Sequence, residues 1–150
     1  SSSNTFGNSF YNQTEGTTFT DAFRKYDVPS GKFPTVSAFT DGTNTNRVLN
    51  TWITTTLAGF NVTTNGVTSA ALNSIVDESR RRLAGAFATN NFAGAVNGST
   101  PVTDNNGVPP TVPSLRIGDQ FGSHTLNGAI RRITYWPQRL SNDTLQTITK

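Results

Sequence analysis

Turn signals punctuate this chain at short intervals: Pro29-Ser30-Gly31, Asp41-Gly42, Asn65-Gly66, Asn90-Asn91, Asn97-Gly98 and Asn127-Gly128. Asn-Gly and Asp-Gly favour the positive dihedral angles of tight hairpins, so the runs they separate are expected to pair antiparallel. Those runs are short and β-prone: 17–26, 35–40, 47–53, 57–63, 67–72, 82–89, 92–97, 115–118 and 129–136. Many short strands at this spacing point to an all-β sandwich or barrel, and periodicity alone does not separate the two. The composition agrees, with 33% hydrophobic and only 14% charged residues. Thr, Asn, Ser and Gly fill the difference, which suits strands with polar outer faces. Ten Phe, two Trp and three Tyr supply the apolar area that a disordered chain lacks.

At 150 residues one domain is the default. Residues 1–14 are polar and rich in Gly, Asn and Ser, and read as a linker or lead-in segment; the folded domain is placed at 15–150. The lead-in aromatics Phe6, Phe10 and Tyr11 are expected to be hidden against neighbouring copies. Leu83 to Ala88 is apolar on both faces and suits a central strand whose small residues let the sheets approach. Alternation from Ala129 to Trp136 is imperfect, which a bulge resolves. Ser69 to Asp77 has some helical spacing, but the flanking Asn-Gly turn favours strand then loop. Ser141 is placed to cap one last helical turn that lays Leu145 and Ile148 on the domain. No run approaches a membrane span, and no basic-then-apolar signal opens the chain. It begins Ser-Ser-Ser-Asn and contains no Met, as expected of a fragment or processed product.

The last quarter carries a resemblance. Leu126-Asn127-Gly128, Ile130, Arg132, Tyr135-Trp136-Pro137, Arg139, Leu140-Ser141, Leu145-Gln146 and Ile148-Thr149 resemble, in order, the closing strand and helical turn of concanavalin A-like, laminin G-like domains found on tail fibres and other virion proteins of tailed bacteriophages. Colinear blocks upstream are similar to the same family: 11–19, 41–48, 66–68, 91–98 and 115–118. Segments 49–60 and Arg80-Arg81-Arg82 depart from it, so loop-borne specificity does not carry over. The resemblance implies a jelly-roll β-sandwich and a homotrimer on the virion surface. It further implies a host-receptor module that binds glycan at the end of a tail fibre or adhesin. A structural virion domain without ligand is the alternative, and a glycan hydrolase a lesser one.

Hydrolysis needs two carboxylates facing one cleft, commonly from alternate positions of one strand. Glu15 and Glu78 are the only glutamates, and Asp77 next to Glu78 points the opposite way in an extended chain. Asp41, Asp104, Asp119 and Asp143 read as turn or cap residues, so no enzyme is expected. His124 is the single histidine and reads as a solvent-facing loop residue; with no cysteine, thiol chemistry is excluded. No cofactor is expected. Animal laminin G-like domains often hold calcium between loops, and Asp41, Asp104 and nearby carbonyls could in principle do the same, but no dense ligand loop appears and no residues are assigned to such a site. Twelve basic residues, clustered only at Arg80-Arg81-Arg82 and Arg131-Arg132, are too scattered for a nucleic-acid footprint.

Sugar recognition requires less: an aromatic face for a pyranose and polar groups that fix its hydroxyls. Asp41, Asn44, Asn46 and Arg47, followed by Trp52, offer both in one stretch and are the candidate glycan site. The competing reading has Asp41 and Asn44 ordering their own turn, Arg47 paired with a neighbour and Trp52 in the core. Trp136 is read as core beneath the last helical turn.

Overall fold

The computed structural model describes residues 2–5, 10–76 and 78–150. Among these the strands run β1 Ser2–Thr5, β2 Glu15–Arg24, β3 Thr35–Thr40, β4 Arg47–Thr54, β5 Leu57–Thr64 and β6 Val67–Ile75, then β7 Arg80–Ala88, β8 Phe92–Val96, β9 Val102–Asp104, β10 Ser114–Ile117 and β11 Gly128–Trp136. One helix, α1 Asn142–Ile148, follows. These strands pair antiparallel throughout, in a six-stranded sheet of order β1-β10-β3-β4-β5-β6 and a five-stranded sheet of order β11-β2-β7-β8-β9. The molecule is a two-sheet antiparallel sandwich.

Local chemistry accounts for much of this. Asn65 and Gly66, at φ 52° and 79°, form the two-residue turn from β5 into β6. Segment 67–75, where helical spacing competed, is strand throughout, because its pairing with β5 continues the hairpin. Asn127-Gly128 departs from expectation: it is no hairpin. Gly128 is the first residue of β11, opposite Arg24, where a Cβ would run into the Phe23 carbonyl oxygen. The irregularity in β11 is a register shift between Ile130 and Arg132, the bulge its alternation called for.

The core lies where the two sheets face each other. Phe60 of β5 is fully buried against Gly85 of central strand β7, where any Cβ would overlap the ring. Phe39, Phe87, Phe92 and Val62 surround it. One polar strap crosses this interior: Thr18 Oγ1 donates to Asn50 Oδ1 at 3.0 Å, and Asn50 Nδ2 donates to Thr20 Oγ1 at 3.3 Å.

Two described pieces of the amino-terminal segment belong to the fold. Ser2–Thr5 forms an edge strand on β10. Tyr11, only 3% exposed, stacks on Phe39 at 5.0 Å and Tyr135 at 5.3 Å between ring centroids. Its expected place against neighbouring copies is therefore corrected, since the ring is consumed by the chain's own core. Phe10 is half-exposed, and Phe6 lies outside the described residues.

Helix α1 closes the outer face of the five-stranded sheet. Ser141 caps it, its side chain accepting the Thr144 N–H at 3.2 Å. Leu145 is buried on Phe19, Ala84, Ala86, Ala93 and Ala95, with Trp136, Leu140 and Ile148 packed alongside. Trp136 thus sits where a core reading puts it. No helix among the described residues is long and apolar enough to cross a membrane.

Candidate glycan-binding site

With one outer face roofed by α1, the outer face of the six-stranded sheet is left to be shaped by loops. Alternation along β4 sends Asn50 and Trp52 inward and Arg47, Leu49, Thr51 and Ile53 outward. The register sets Leu49, Asn61 and Ala71 in one row across three strands, and Arg47, Thr63 and Thr68 in the next. Over these rows stand Asn44 from the β3–β4 loop, Gln120 and His124 from the β10–β11 loop, and Phe33. Together they bound a trough of about 380 Å³.

Arg47 lines it, half-buried. Its Nη1 donates to Asn44 Oδ1 at 2.7 Å and its Nε to Thr63 Oγ1 at 3.4 Å. The same Asn44 oxygen accepts from Gln120 Nε2 at 3.2 Å, so one amide ties both loops to the arginine. Burial pulls the guanidinium below the usual arginine range. Among the described residues no carboxylate forms an ion pair with it, and none lines the trough. A guanidinium held in place by neutral partners is a ready hydrogen-bond donor to an anionic oxygen.

Of the predicted site residues, Asn44 and Arg47 line the trough. Asp41 and Asn46 do not line it; they order the β3–β4 loop that carries Asn44. Asp41 Oδ1 accepts from the Thr43 N–H at 2.8 Å and Thr43 Oγ1 at 2.7 Å, and Oδ2 accepts from Asn46 Nδ2 at 3.0 Å. Partial burial pushes the Asp41 carboxyl upward, but these hydrogen bonds outweigh it and leave the group below the usual carboxylate range. Asn46 Oδ1 accepts the Asn65 N–H at 2.9 Å, anchoring the loop to the β5–β6 turn.

Trp52 is a correction. It is 2% exposed on the inner face of β4, among Ala22 and Val36, with the Arg81 guanidinium 5.4 Å from its ring centroid. An inward position on β4 offers solvent no ring face. Sequence proximity to Arg47 is misleading because residues five apart on a strand face opposite sides.

Gln120, Asn61 and His124 went unrecognised as site residues. Gln120 is nearly buried, and Asn61 is visible in sequence only as one Asn among many. His124, expected to face solvent freely, is partly buried at φ 53° and accepts the Phe33 N–H at Nδ1, 3.1 Å away. Partial burial, and then the nearby Lys32 and Arg47, lower its pKa. The glutamates lie elsewhere: Glu15 accepts the Arg139 N–H, and Glu78 accepts from Asn97. Asp104 accepts the Asn106 N–H, and no three described His, Cys, Asp or Glu side chains cluster as a metal site requires.

No family model and no curated protein sequence matches the chain. Solved structures do. The CBM40 of the Ruminococcus gnavus IT-sialidase, solved with alpha2,6 sialyllactose, superposes with a TM-score of 0.71 at 15% identity, over 93% of this chain and 85% of that one. The heptameric SAP-like pentraxin of Limulus polyphemus gives 0.63 at 12% identity, over 99% and 81%. Domains LG4-5 of the mouse laminin alpha1 chain give 0.61 at 10%, over 94% and 40%. The chain has the concanavalin A-like, laminin G-like sandwich fold that it shares with these three structures.

Proposed function

We propose that this chain is a non-catalytic glycan-binding module that takes an acidic sugar into the trough on the six-stranded sheet. The observation that carries this is Arg47, half-buried, lining the trough and matched by no described carboxylate. A sugar carboxylate or sulfate would receive its charge, while Asn44, Asn61 and Gln120 offer amides for hydroxyls. The likeness to a module solved with sialyllactose supports the same reading. That no described carboxylate lines the trough supports attachment over cleavage, because hydrolysis needs a paired acid and base or nucleophile. The colinear blocks ending in Tyr135-Trp136-Pro137 support a place on a bacteriophage particle, as the homotrimeric receptor-binding end of a tail fibre.

A glycan array of acidic and neutral oligosaccharides tests the reading. Acidic glycans are expected to be retained, and Arg47→Ala to weaken them by about tenfold or more, the worth of a hydrogen bond to a charged group. Binding undiminished in Arg47→Ala, or a wild type that retains nothing, would overturn it.

A further inference from the structure

A second cleft, of about 420 Å³, opens beside the trough, and His124 lines both. The wall between them is segment 32–34, with Phe33 on the trough side and Lys32 and Pro34 on the other. His124 is pinned onto this wall by the Phe33 N–H at 3.1 Å and by ring contact with Phe33 at 5.4 Å. His124 is the one described residue that both clefts share.

The second cleft is chemically distinct. Tyr26, 59% exposed, supplies an aromatic surface, with the Lys25 ammonium 5.4 Å from its centroid. Arg24 and Asp27 line the cleft as a pair, with the guanidinium donating to the Asp27 carboxylate at 3.0 Å and to the Thr55 carbonyl at 3.0 Å, so that the Asp27 charge is matched. Lys32 has no ion pair among the described residues. Two unmatched cations, Arg47 and Lys32, thus stand on opposite sides of His124, both near enough to disfavour its protonation.

We propose that the trough and the second cleft form one path across His124, and that the ligand is a linear acidic oligosaccharide whose anionic residues meet Arg47 on one side and Lys32 on the other. This rests on the trough being a glycan site and extends it by a subsite. A sugar ring stacks on Tyr26 beside Lys32, and Asn127 faces its hydroxyls. A polynucleotide fits less well, since the path offers two separated cations rather than a continuous basic strip.

Isothermal titration with α2,8-linked oligosialic acids of one to six residues tests this on the full chain. Wild-type affinity should rise by about tenfold or more from the shortest to the longer members, as a linked second contact requires. Tyr26→Ala and Lys32→Ala, both at exposed positions, should erase that rise while leaving the monosaccharide affinity unchanged; Arg47→Ala should weaken every member. Affinity independent of length, a rise that survives the Tyr26→Ala/Lys32→Ala pair, or no binding of any member would overturn the second subsite. Loss confined to Arg47→Ala would retain the trough and reject the extension.

Discussion

Nδ1 of His124 accepts the backbone N–H of Phe33 at 3.1 Å, joining residues 91 apart in sequence. The bond requires a neutral imidazole with its proton on Nε2, because a protonated ring has no lone pair to offer. It holds the β10–β11 loop against the segment that enters β3, which is also the rim of the trough.

Acid should loosen this rim. Partial burial, then Lys32 and Arg47, lower the His124 pKa from the ordinary value of about 6.5, so the folded chain binds this proton less tightly than the unfolded one. The contribution is full above the ordinary value and is lost as pH falls towards the lower folded value. Thermal midpoints between about pH 7.5 and 5 should decline for the wild type and decline less for His124→Gln. Equal slopes in the two proteins would assign the trend to other groups.

Trp52→Ala should act on stability rather than on ligand contact. Emptying a fully enclosed indole site costs about 3–5 kcal/mol, and urea denaturation should register it. A variant as stable as wild type that had lost only glycan affinity would contradict the inward placement.

Tyr11→Ala should likewise weaken the monomer. The ring stacks within the core on Phe39 and Tyr135, so its loss should lower stability by about 3 kcal/mol. Denaturation at several protein concentrations checks this: a loss that varied with concentration would return Tyr11 to an intermolecular contact.

Gly85→Ala places a methyl group where the Phe60 ring lies, and such overpacking costs about 1–3 kcal/mol. Phe60→Leu alone should also destabilise, yet the double variant should be better than the sum of the two. Simple additivity would mean that the two positions do not press on each other.

The fold was legible because its signals are local. Asn65-Gly66 encodes its turn, Ser141 its cap, and the uneven alternation of β11 its bulge, each within a few residues. Edge strands β1 and β9 were not, being short and lacking alternation long enough to read. Asn127-Gly128 shows the limit of dipeptide signals, since the requirement there is close approach to the Phe23 backbone and not a positive φ. The trough that forms the candidate site was half legible. Asn44 and Arg47 lie on one loop-and-strand stretch, while Gln120 and His124 reach the trough only through the β10–β11 connection, about 75 residues away along the chain. Trp52 misleads because a linear stretch says nothing of which side of a strand each residue occupies until the register is known.

Asn50 acts as a peg between two plates. Its amide reaches from β4 to Thr18 and Thr20 of the opposite sheet, and sliding one sheet past the other would leave it unpaired in the interior at about 1–3 kcal/mol. Apolar side chains alone permit many near-equivalent stackings; a single directional group selects among them. Because Arg47 and Leu49 stand on the other side of the same strand, the alignment of the trough is set from behind, by a residue on the inner face of the sheet.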